Sequence, residues 1–295
     1  MEKSPVFAEL RGRRLAAWRQ TADRRITGPD EGAELIGALG LVTLYPVSPE
    51  APNLYHAYVG DPERPTDSKW DSPSGEIYTW RWVLGRRQAA CYTVVVRKRP
   101  TWIAWDLLPT VLRLLSDTRM PDELFHLGVI SPEAYRIARA LEEAGRPLNT
   151  TDLRAAAQFP TGKEQRAAYQ KALAELDARL LLTRVFSPDA RAASDPALAE
   201  GEASGETGMG HTLFSMSYRE HVDAAERMTR EQALDQLLTR YLSGAVWAAT
   251  KPLSRALGLP QAELDAALAR LQERGQARPL ALAEILSPAW LWAGE

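Results

Sequence analysis

The sequence predicts an α+β fold, mostly α, built from tandem winged helix-turn-helix domains with small β-sheets. Three observations carry this reading. Residues 131–186 run helix, short helix, longer helix, strand, and HTLFSMSY (211–218) supplies a second strand. A similar order returns between 229 and the C-terminus. Ahead of both lies a region of short helices and strand-like runs with a basic face. A chain of 295 residues can bury two or three compact cores, here divided as 1–118, 119–226 and 227–295.

Taken in order, residues 6–25 read as a basic helix with Phe7, Leu10, Leu15 and Trp18 on its apolar side. Asp30 is placed to cap a second helix over 31–39, which Gly40 stops. The proline and aspartate content of 41–75 predicts loops around short extended pieces. Two strands are expected at 91–97 and 101–105, joined by a tight basic turn, and the basic run from 81 onward is read with them as a sheet edge.

The next block is more legible. Ser131, Pro132 and Gly145 mark the cap, first residue and stop of a helix. A short helix should open at Thr150 or Thr151, and a longer one, 161–179, at a Thr161-x-x-Glu164 capping box. LLLTRVF (180–186) is a strand, and the acidic, glycine-rich 187–210 is an enlarged wing tip. In the C-terminal copy, helices are expected at 229–245, 250–258 and 259–275, with strands from ARPLAL and PAWLWAG.

The formal charge of −2 hides segregation. Residues 187–210 carry −4, residues 81–99 carry +6 and residues 1–25 carry +4. Segregated charge is what a phosphate-binding face needs. A single cysteine, Cys91, excludes an internal disulfide and any CxxC metal site. HExxH, GxSxG, GxGxxG and P-loop motifs are missing, so no cofactor and no metal are expected. With no transmembrane run and no secretory leader, a cytoplasmic location without membrane contact is expected, nucleoid-associated in a prokaryote.

Two further sets of residues stand out. The longer helix offers Lys163, Arg166 and Lys171, the first two near one face and close to the N-terminus, where a DNA-reading winged helix enters the major groove, and Arg184 adds a base in the wing strand. The alternative is a winged helix used for packing. The equivalent helix of the C-terminal copy opens with Gln261, Glu263 and Asp265, which suits packing or a homodimer contact better than phosphate. Asp61, Glu63, Asp67 and Asp71 crowd one proline-rich loop and read as a charged surface loop, or else as a replacement carboxylate or hard-metal site.

ITGPDEGAELIGALGLVTLYPV (26–47), WRWVLGRR (80–87), YTVVVRKRPTWIAWDLLP (92–109) and KALAELDARLLLTRV (171–185) resemble the AlkZ/YcaQ-like superfamily of winged-helix DNA glycosylases. They are most similar to its AlkZ-related members. In active members of that family, a Gln-x-Gln or Gln-x-Asp motif follows the early helix, positions a water and stabilises the cationic sugar as the N-glycosidic bond breaks. By position Thr43 and Tyr45 stand there in this chain. A hydroxyl has fewer hydrogen-bonding groups than an amide, and a phenol with pKa near about 10 is a poor base at neutral pH.

The resemblance therefore implies a DNA-binding protein linked to DNA damage response or repair, without the hydrolytic motif. Its partner would be duplex or damaged DNA. The residues expected to touch phosphate are Arg11, Arg13, Arg14, Arg86, Arg87, Arg97, Lys98, Arg99, Lys163, Arg166, Lys171 and Arg184, with Trp80 and Trp82 as base-stacking candidates. Two alternatives remain open at this point. One is an active glycosylase that removes alkylated, bulky or crosslinked bases with a different residue set. The other is a winged-helix scaffold for protein interactions.

Overall fold

The computed structural model describes residues 4–160, 162–186, 208–285 and 287–294. The N-terminal helix α1 (Pro5–Ala17) opens on Ser4, whose hydroxyl accepts from the Phe7 amide, and turns Leu10 and Arg14 inward. It is shorter than the predicted 6–25, because the chain reverses at Arg19 with φ 55°. Helix α2 (Pro29–Leu39) is capped by Gly28 rather than Asp30. Asp30 and Glu31 sit instead in its first turn, where carboxylates oppose the helix dipole. Gly40, at φ 83°, ends α2 and starts strand β1 (Leu41–Thr43).

Helix α3 (Leu54–Val59) lies inside the stretch expected to be loop. Asn53 caps it by accepting from the His56 amide, and Gly60 closes it in the left-handed conformation. Helix α4 (Pro73–Arg86) corrects the strand expectation for residues 81–86. Its buried residues Ile77, Trp80 and Leu84 recur at helical spacing, and the Ser72 hydroxyl caps its first turn. Burying each such side chain contributes roughly 1.5–3 kcal/mol, which outweighs the modest β preference of Trp, Tyr and Val.

Strands β2 (Cys91–Val94) and β3 (Pro100–Ile103) follow, with a tight turn in which Arg97 and Lys98 both hold positive φ. Helices α5 (Leu108–Leu115) and α6 (Pro121–His126) lead to α7 (Pro132–Ala144), with Ser131 as cap and Gly145 as stop, as predicted. Helix α8 (Thr150–Ala156) is capped by Asn149. Helix α9 (Lys163–Ala178) begins after Gly162, and the expected Thr161 cap falls outside the described residues. Strands β4 (Leu182–Phe186) and β5 (Met209–Leu213) form the hairpin of the first winged helix, and an antiparallel bridge from Leu148 to His211 adds its third, minimal strand. The wing tip expected at 187–210 lies outside the described residues over 187–207.

Helices α10 (Phe214–Ser217) and α11 (Arg219–Arg227) connect to the second copy. That copy comprises α12 (Arg230–Ala245), β6 (Trp247–Ala249), α13 (Thr250–Leu257), α14 (Gln261–Glu273), β7 (Ala277–Leu280) and β8 (Ala289–Trp292). Its α12 opens on a complete capping box between Thr229 and Gln232. The three strands pair antiparallel in the order β6-β8-β7, the arrangement of a winged helix.

The wing hairpin of the first copy is not a free-standing ribbon. It continues the N-terminal sheet in the order β1-β3-β2-β4-β5, joined where Tyr92 pairs with Arg184. One hydrophobic cluster accordingly mixes Leu41 and Ile103 with Leu234, Leu253 and Leu268. The N-terminal region and the C-terminal copy therefore share a core.

Candidate functional site

Segment 44–47, leaving β1, forms one side of an open cleft of about 750 Å³. Helix α4 supplies Tyr78 and Arg81, β2 supplies Tyr92, and the β2–β3 turn supplies Arg97 and Arg99. The Tyr45 hydroxyl donates to the Ser74 carbonyl at 2.7 Å. Burial pushes the Tyr45 phenol up to about 12, with the nearby Arg81 charge pulling the other way. Burial also raises Tyr92, while Arg81 opposes that shift through its charge and a hydrogen bond. The Arg81 guanidinium lies 4.2 Å from the centre of the Tyr78 ring, a cation–π distance.

Of the two motif positions, Tyr45 alone reaches this cleft. Thr43 is fully buried, and its hydroxyl is spent on the Tyr45 carbonyl at 2.8 Å and the Pro52 carbonyl at 3.2 Å. Among the described residues that line the cleft there is no carboxylate. The acid acting on Tyr45 is Asp67, whose pKa is lowered by the Ser72 hydroxyl and the Lys69 amide. The cleft can therefore attract an anion, stack a planar group and donate hydrogen bonds. A base that works at neutral pH is absent from its described lining.

The stacking candidates need correction. Trp80 is 1% exposed and Trp82 7% exposed, and both are core side chains. The Trp80 indole N–H donates to Glu76 and its ring meets Tyr58, while Trp82 packs edge-on against Phe186. Neither ring offers a face to a base. Trp70, 41% exposed, does so, and it stands edge-on to Tyr78 at 5.6 Å beside the cleft. Its signal was present in DSKWDSPSG, a tryptophan flanked by turn formers that no apolar neighbour helps to bury.

Two of the expected phosphate contacts are structural arginines. Arg14 is buried, donates to the Ala245 and Trp247 carbonyls and stacks over the Trp247 ring at 3.8 Å. Arg184 makes two parallel 2.6 Å bonds to Asp177 and is largely buried. Arg11 pairs with Glu63, and Arg87 with Asp30. Arg86 is half-buried near Trp82. Arg13, Lys163, Arg166 and Lys171 are exposed.

Arg97, Lys98 and Arg99 project at the tip of the β2–β3 turn, exposed and without a carboxylate partner among the described residues. This turn packs against α13, whose exposed Lys251 and Arg255 share one helix face. The C-terminal copy thus brings cations beside the turn through α13, a contribution hidden from the sequence by the acids that open α14. One of those acids, Glu263, is already paired with Arg230 at 2.8 Å. Among the described residues no group of three or more potential ligands is placed to hold a metal ion, and no helix is long and apolar enough to cross a membrane.

A family model described as AlkZ related matches residues 26–258. Among solved structures, the Streptomyces sahachiroi DNA glycosylase AlkZ matches with a TM-score of 0.53 at 14% identity. The match covers 95% of this chain and 69% of that one, a likeness of fold. A search of curated proteins by sequence finds no match.

Proposed function

The chain belongs to the AlkZ-related family, and from that premise we propose that it is a DNA-binding protein of DNA damage response or repair that does not hydrolyse N-glycosidic bonds. The observation carrying this reading is the cleft at Tyr45, lined by Arg81, Arg97 and Arg99 with three tyrosines and, among the described residues, no carboxylate. Breaking an N-glycosidic bond builds positive charge on the sugar, and a catalyst must meet that charge with anions or oriented acceptors. Three guanidiniums oppose it. The same groups attract phosphate, and the exposed Trp70 and the Tyr78 ring beside them provide stacking surfaces for an unpaired base.

Duplex or damaged DNA is accordingly the ligand, held mainly by charge through the β2–β3 turn and α13. Fluorescence anisotropy with a labelled duplex over a salt series tests this. Affinity should fall steeply with salt, and replacing Arg97, Lys98 and Arg99 together by Ala should reduce the log–log slope by about 0.9 for each phosphate that is no longer neutralised. A salt-independent affinity, or a slope unchanged in the triple variant, would overturn the reading. Incubation with alkylated duplex followed by abasic-site cleavage should yield no product. Product formation would instead favour a glycosylase with a different residue set.

A further inference from the structure

Duplex DNA and the cleft at Tyr45 differ in size. A volume of about 750 Å³ is that of a cube about 9 Å on edge, narrower than the duplex major groove, which alone is about 12 Å wide. Pockets of about 300–1,000 Å³ enclose ligands of the size of one or two nucleotides. Cations suited to paired DNA lie outside this space. Lys98 at the turn tip and Lys251 and Arg255 on α13 are exposed, and none of them lines the cleft.

The cleft lining divides by element. Helix α4 brings the Tyr78 ring, with Trp70 edge-on to it and 41% exposed, whereas the β2–β3 turn brings Arg97 and Arg99. An unpaired strand presents a phosphate and an open base face at each nucleotide, and duplex covers those faces by stacking. The loop holding Trp70 is fixed. Asp67 accepts from the Lys69 amide at 2.9 Å and the Ser72 hydroxyl at 2.6 Å, and the Asp67 amide donates to the Ser74 hydroxyl at 3.0 Å. The missing side chain at Gly75 lets the Trp70 carbonyl seat against α4. The indole is thus a receiving surface kept in water, which a stacked base would cover, rather than a wedge free to enter a duplex. At the turn, Arg97 and Lys98 take φ of 48° and 57°, a conformation that Asn and Gly adopt more readily. Cations hold the tip against the local preference.

We infer that the chain selects DNA at a break in base pairing, with one or two unpaired nucleotides in the cleft and the adjoining duplex on the β2–β3 turn and α13. The unpaired base stacks at Trp70 and Tyr78, and its phosphate meets Arg81, Arg97 and Arg99. This rests on the reading of the chain as a DNA-binding protein and adds the form of DNA it prefers.

Fluorescence anisotropy of the full chain at one low salt concentration tests it. The labelled duplexes share length and sequence and are fully paired or carry an internal bubble of one, two or four mismatched pairs. A further duplex carries abasic spacers in place of the two-pair bubble. Bubbles of one or two pairs should bind about tenfold or more tighter than paired duplex, with no further gain at four. The abasic duplex should lose most of that gain. It bends at least as easily, so its loss assigns the gain to base stacking rather than to deformability. The ratio of bubble to paired affinity should fall about fivefold or more in Trp70→Ala, and Lys251→Ala/Arg255→Ala should weaken both ligands and preserve the ratio. Circular dichroism checks folding, and Tyr78→Leu, which removes the second ring, serves where Trp70→Ala does not fold. Equal affinity for paired and bubbled duplex overturns the inference and leaves the DNA-binding reading standing. A gain retained by the abasic duplex or by Trp70→Ala, or one still rising at four pairs, also overturns it. No binding of any duplex overturns the DNA-binding reading and the inference with it.

Discussion

Tyr45 carries a half-buried hydroxyl at the edge of the cationic cleft, and burial keeps that hydroxyl protonated at neutral pH. Tyr45→Phe removes the bond to the Ser74 carbonyl. A loss of about 1 kcal/mol of stability is expected in urea unfolding, with duplex affinity unchanged; a sharp fall in affinity would assign the hydroxyl to the ligand. His211 is the pH-sensitive residue of the wing. Burial, helped by the Arg184 charge, lowers its pKa to about 3, whereas the unfolded chain takes up that proton near the ordinary value of 6.5. Because the unfolded state binds the proton more readily, the stability present above pH 6.5 is lost progressively as pH falls toward 3. The melting temperature should therefore drop between pH 7 and pH 4, and His211→Gln should flatten that drop. Tyr45 was legible in the sequence as a position of interest, but nothing there showed that Thr43 turns away. That difference rests on Pro52 and Asn53 pairing with the end of β1, nine or ten residues distant.

Among the elements, those with terminal chemistry of their own were legible. Helix α7 announces its cap, first residue and stop in Ser131, Pro132 and Gly145, and α12 carries its capping box in Thr229 and Gln232. Helix α4 was not legible beyond residue 80, because its tryptophans and valine favour strands locally while tertiary burial decides for a helix. Helix α4 also fixes the rim of the cleft. Gly75 lies so close to the Trp70 carbonyl that a Cβ there would overlap it. Gly75→Ala should displace the 69–72 segment and lower affinity for DNA containing an unpaired base, with less effect on intact duplex; equal affinity for both in the variant would remove Trp70 from the interface. On α13, Lys251→Ala with Arg255→Ala should shallow the salt dependence of duplex binding, the same outcome expected for neutralisation of the β2–β3 turn. An unchanged slope would confine the interface to the turn.

For the whole molecule, the tandem winged-helix order was readable from helix order alone, whereas the merging of the first wing with the N-terminal sheet was not. Tyr92 pairs with Arg184 at that join, and the Thr93 and Thr183 hydroxyls donate across it to the Leu182 and Tyr92 carbonyls. The same holds for Arg14, which reads as one of several basic residues on a surface helix and instead fastens α1 to the far end of the chain. Arg14→Met should cost about 3–5 kcal/mol, because Glu50 is left buried without its cation, and thermal unfolding should show it. Double replacement of Arg14 and Glu50 by apolar residues should recover much of that loss. The acceptors of Arg14 at Ala245 and Trp247 lie more than two hundred residues downstream. During synthesis, which proceeds from the N-terminus, α1 emerges well before its acceptors and is thus among the last of these elements to find its place. Pulse-labelled hydrogen exchange should see the amides of α1 gain protection together with those of β6 and β8, after the helices of the first winged domain are already closed.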